Sequence, residues 1–166
     1  ICFGDVVKLT DAGGTTTIQK DTGTTTATPI GIFVGCRFTD LNSSQLTFSQ
    51  QWSGAANTSG MAYVIDDPTV LFTLQADGTV NDDDLAANAA IVQTASSAAL
   101  SISRVTLDIS TAATTNTLPV RIVDWLGGYD GDQYGTAYPI MVCRFNAGHQ
   151  LSLIASGSTA AAPSAA

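Results

Sequence analysis

AYVIDDPTVLFTLQADGTV, residues 62–80, holds two strand signals and two turn signals in one unbroken stretch. Tyr63-Val64-Ile65 is a short, β-favouring apolar run. Asp66-Asp67-Pro68 interrupts it, because proline fixes φ and moves the preceding residue away from the helical region. Residues 70–74 (VLFTL) resume as a second strand. Ala76-Asp77-Gly78 then closes the unit with an Asp-Gly turn, where glycine tolerates positive φ. Nothing in the stretch is a catalytic motif; it reads as scaffold.

The same grammar extends outward. Residues 45–51 (QLTFSQQ) alternate, with Leu46 and Phe48 to one side and Thr47 and Ser49 to the other, the period-2 signature of a half-buried strand. Residues 103–109 (SRVTLDI) repeat it, with Val105, Leu107 and Ile109 inward and Arg104, Thr106 and Asp108 outward. Further strands are expected at 4–9, 15–19, 29–35, 118–125, 137–145 and 149–154. Asp82-Asp83-Asp84 ahead of an alanine-rich run joins good N-caps to the best helix former. It predicts one short helix at about 83–93, with Leu85, Ala89 and Val92 on its apolar face. Residues 94–101 and 110–117 read as connectors. The expected fold class is therefore mainly β: a compact β-sandwich or β-barrel with one short helix. Residues 1–155 form one β-rich domain, with room for a small N-terminal β-module at 1–36. Residues 156–166 are an Ala/Ser-rich tail, expected to order only where a neighbouring subunit holds it.

Composition narrows the function classes. At 166 residues and 45% hydrophobic content, the chain can bury a real core, which argues against disorder. No apolar run reaches the roughly 18–20 residues of a membrane span. Ile1-Cys2-Phe3 is too short for the apolar region of a signal peptide. Net charge is −8, and every acidic residue is Asp. Asp favours turns and caps where Glu would favour helix. Six scattered Lys and Arg do not make a nucleic-acid interface, so neither nucleic acid nor membrane is an expected partner. An acidic surface does suit docking onto a basic protein.

Several phrases together resemble small structural proteins of tailed bacteriophages that decorate the capsid. They are residues 62–80, 45–50 (QLTFSQ), 88–94 (NAAIVQT), 118–122 (LPVRI) and 144–150 (RFNAGHQ). The resemblance spans most of residues 30–150 and is one of structural phrases, not of active-site residues. It implies a virion protein on the outer surface of the capsid, a decoration or cement protein. Its implied partner is the major capsid protein, and its implied state a homo-oligomer, with a trimer favoured. A tail-tube or head-fibre subunit is one alternative. A carbohydrate-binding adhesion module is another.

Reactive side chains give no catalytic set. His149, the single histidine, lacks a Gly-x-Ser-x-Gly nucleophile turn and reads as structural. Cys2, Cys36 and Cys143 have no zinc-ligand spacing. They read as three buried thiols, or as one disulfide and one free thiol with the pairing open. Asp77, Asp82, Asp83 and Asp84, and Asp130 with Asp132, are oxygen donors of the kind Ca²⁺ takes, but they match no EF-hand spacing. Turn chemistry and helix capping account for them, so no metal and no cofactor is expected. The more suggestive residues are aromatic. Trp125, Tyr129, Tyr134 and Tyr138 lie among glycines in an expected loop, where they suit protein or glycan contact as well as packing onto the body.

Overall fold

A computed structural model describes residues 1–11, 14, 16–54, 60–127 and 135–150. Among these are ten strands. The first five are β1 (Val6–Asp11), β2 (Thr16–Lys20), β3 (Gly31–Thr39), β4 (Leu46–Ser49) and β5 (Gly60–Ile65). The second five are β6 (Phe72–Gln75), β7 (Asn88–Ser97), β8 (Ile102–Ala113), β9 (Val120–Trp125) and β10 (Ile140–Phe145). The chain is mainly β, in two antiparallel sheets compatible with a sandwich-like fold, and neither sheet closes into a barrel. The first runs β2-β1-β3-β4, with β5 also paired to β3; the second runs β6-β10-β9-β7-β8.

The second sheet curls far enough for the chain just after its edge strand β6 to touch the other edge strand, β8, without closing. Ala76 and Leu107 form a parallel bridge, the Asp77 N–H donates to the Leu107 carbonyl at 3.0 Å, and the Ile109 N–H donates to Asp77 Oδ1 at 3.0 Å. The Asp-Gly turn thus docks onto β8 instead of pointing into solvent. Inside the curl lie Leu74, Ile91, Leu107, Ile122, Met141 and Phe145, all buried. The Phe72 and Phe145 rings meet at a 43° tilt with their centres 4.6 Å apart.

Strand β1 links the two sheets through its alternation. Val6 enters the core of the second sheet, together with Ala27. Val7 points the other way, into a smaller cluster with Phe33 and Cys36, which Ile18, Trp52 and Val64 flank. At Val6 and Val7, β1 is therefore buried on both faces, while Leu9 farther along is exposed. Gly31 opens β3 where the chain crosses β5; a Cβ there would run into the Ile65 carbonyl, so the position admits no side chain.

The expected helix at 83–93 does not form. Asp82–Asp84 is a single 3-10 turn, and Asn88–Ser97 is strand β7. Asn81, not an aspartate of the run, is the N-cap of this turn, and Asp84 Oδ2 accepts the Asn81 N–H at 2.8 Å. Ala86 then takes φ +63° and ends the turn. Beyond it Asn88, Ala89, Ala90 and Ile91 are all buried, because β7 lies between β8 and β9. Alanine's helix preference is worth less than about 1 kcal/mol per residue and yields to burial on both sides. The expected connectors shrink for the same reason. β7 runs on through Ser97 and β8 through Ala113, as one long hairpin. At the last expected strand, His149 and Gln150 lie in a turn and a bend; the rest of 149–154 and the 156–166 tail lie outside the described residues.

Candidate interaction surface

Cross-strand register assembles one surface from three strands. Arg37 on β3 faces Phe48 on β4 and Met61 on β5, so Phe48, Arg37 and Met61 form a row. Thr39 faces Leu46, and Ile32 faces Ile65. Along β5, Met61, Tyr63 and Ile65 share this side, since alternate residues of a strand do. Near β1 the second sheet's core covers the same side, at Val6 and Ile32. Farther out it stands open. Phe48 is 67% exposed, Leu46 59%, Met61 51%, and Tyr63 and Ile65 41% each. The alternation at 45–51 is real, but its apolar side is the outward one. β3, β4 and β5 contain no acidic residue, and their one charge is Arg37.

The opposite face of this sheet carries a cleft of about 510 Å³, with Ile18, Phe33, Cys36, Trp52 and Ala62 in its wall. Trp52 meets Phe38 edge-on at 5.5 Å. Cys36 Sγ lies 3.5 Å from the Gln51 carbonyl, and burial raises its thiol above the ordinary cysteine value.

The expected aromatic loop divides. Trp125 is half-buried and packs on the core of the second sheet. Tyr138 is 59% exposed, at φ +59°, in a turn held by its N–H to the Gly78 carbonyl. Tyr129 and Tyr134 lie outside the described residues.

A buried polar cluster went unread in the sequence. Asp5 is fully buried just before β1. Its carboxylate accepts the Cys2 N–H at 2.8 Å, the Ser96 hydroxyl at 2.7 Å and the Lys20 ammonium at 3.0 Å. Burial alone would raise the Asp5 carboxyl; the donors from Cys2, Ser96, Ser103 and Lys20 outweigh it and hold the group below the ordinary aspartate value. Lys20 Nζ also donates to Ser96 Oγ at 2.8 Å and to the Thr94 carbonyl at 2.7 Å. All three ammonium protons are engaged, so this trio of Ser, Lys and Asp has no free base. It is a clasp between β1, β2 and β7. No sequence signal marked it, because its members are 15 and 91 residues apart.

Other polar residues are similarly committed. His149 places Nδ1 2.9 Å from the Ala27 carbonyl and Nε2 3.1 Å from the Thr117 carbonyl, tying the C-terminal turn to two loops. Asp21, also buried, accepts the N–H groups of Gly23 and Thr28 and lies 3.8 Å from Lys8. Among the described residues, no three His, Cys or Asp side chains group as metal ligands, and the three cysteines are free and buried. Asp130 and Asp132 lie outside the described residues. No described helix is long and apolar enough to cross a membrane. Comparison with protein-family models, with curated proteins and with solved structures gives no match.

Proposed function

We propose that this chain is a structural subunit of a tailed-phage virion: a decoration protein on the outer surface of the capsid, bound to the major capsid protein and working as a homo-oligomer, with a trimer favoured. The observation that carries the reading, as a subunit built to assemble with others, is the open apolar face of Leu46, Phe48, Met61, Tyr63 and Ile65. Five exposed apolar side chains gathered on one face around a single Arg37 are uncommon on a protein that works alone, and mark a place where another surface settles. The body behind it suits a building block. Its second sheet shields its own edges, and a buried clasp fixes the first sheet against it. The net charge of −8 favours a basic partner surface for the remaining contacts. The physics is repetition: modest contacts, repeated over a shell, gain strength through multivalency. In this reading the chain transforms no substrate and holds no cofactor.

Cryo-electron microscopy of particles carrying the chain tests the proposal. Density for it on the outer capsid lattice is the expected result. Density confined to the tail would reject it.

A further inference from the structure

We infer that the open face of β3, β4 and β5 is where two copies of this chain meet. The inference rests on the structural reading above and assigns that face to a copy–copy contact, leaving other surfaces for the lattice. Three observations select a second copy as the occupant.

The first is area. Five apolar side chains, each 41–67% exposed, leave a few hundred Å² of apolar surface open. Two such faces together bury on the order of 1,000 Å², the lower bound for a specific interface.

The second is charge. Two copies at −8 each repel over most of their surfaces. β3, β4 and β5 hold no carboxylate, so the middle of the contact is free of acidic side chains; the nearest, Asp40 after β3 and Asp66 and Asp67 after β5, stand at its rim.

The third is register. Arg37 stands directly beside Phe48 across the β3–β4 pair. A two-fold axis between these two residues sets each copy's Arg37 over the other's Phe48. That is a cation–π contact made twice by one symmetric operation. The single charge on the face thereby gains a partner that the face itself supplies. The pair is a two-fold unit; a three-fold cluster would use other surfaces.

Sedimentation equilibrium of the full chain across micromolar concentrations tests the pairing. The apparent mass should climb from 17.1 kDa towards twice that value. Phe48→Asp and Met61→Asp should each weaken association at least tenfold, with far-UV circular dichroism unchanged and the melting temperature unchanged at concentrations where the chain is single, because both side chains are uncovered in the single copy. Val123→Asp, at an exposed position on β9, should leave association intact. A chain that stays at 17.1 kDa, or whose association survives both Asp substitutions, overturns the inference. Monomers that still decorate particles would remove the pairing and leave the virion reading; pairs that ignore particles would do the reverse.

Discussion

The Lys20 ammonium lies 3.0 Å from the fully buried Asp5 carboxylate, where the end of β2 meets the chain entering β1. Ser96 of β7 closes the triangle, so the three residues together tie the first sheet to the second. Removing one member strands the other. Lys20→Met should cost about 3–5 kcal/mol, the usual loss when a buried charge is left alone. Asp5→Asn combined with Lys20→Met should cost less than the two single changes added together. Urea unfolding followed by tryptophan fluorescence checks both.

The same carboxylate sets an acid limit. Folded Asp5 ionises below its ordinary value, whereas in the unfolded chain it titrates near about 3.9. Its stabilising contribution is complete above the unfolded value and disappears as pH falls through it towards the folded one. Stability measured downward from pH 6 should therefore drop on the acid side, and Asp5→Asn should flatten that drop. An unchanged slope in the variant would assign it to other carboxylates.

The thiols should be silent in the native state. Cys143 is buried, and desolvation pushes its thiol up to about 12; Cys36 is raised for the same reason. Cys2 is only 3% exposed. A thiol reagent at neutral pH should label none of the three until denaturant is added, and then all three. Labelling of one cysteine without denaturant would reveal local opening.

Two glycines should separate close approach from mere flexibility. Gly31→Ala drives a methyl into the Ile65 carbonyl and should destabilise by about 2–3 kcal/mol. A Cβ on Gly148 meets nothing within 4 Å, and Gly148→Ala should change stability by less than about 0.5 kcal/mol. Thermal melts of the two variants make the comparison.

Core and face should respond oppositely to truncation. Ile122, with no exposed surface, should cost about 2–5 kcal/mol as Ile122→Ala. Phe48→Ala, at 67% exposure, should stay within about 0.5 kcal/mol in the single copy. Chemical denaturation at low protein concentration measures both.

Alternation and turn chemistry made much of this fold legible. The inward set Val105, Leu107 and Ile109 on β8 follows directly from period 2. Residues 88–97 misled because alanine's local preference speaks for helix, while the facts that decide, β8 along the whole segment and β9 beside Asn88 and Ala89, are not local. Residues 46–49 show a different limit. Period 2 states that a strand has two faces, not which of them its own chain covers, and here the apolar one is left open. The Asp5 clasp was illegible for a third reason: its parts are ordinary residues until folding brings position 96 beside position 5. Tyr138 did turn out exposed, whereas Trp125, from the same stretch, packs inward.

That 91-residue span has a consequence for biosynthesis. While the chain is emerging from the ribosome, the stretch around Asp5 can pair with β2 but lacks its hydroxyl partner until the seventh strand has been translated. The first sheet thus waits, with its polar anchor half made and its apolar side chains in water. Assembly of the whole is set by a late, long-range closure, the kind that slows folding and rewards protection of the nascent chain.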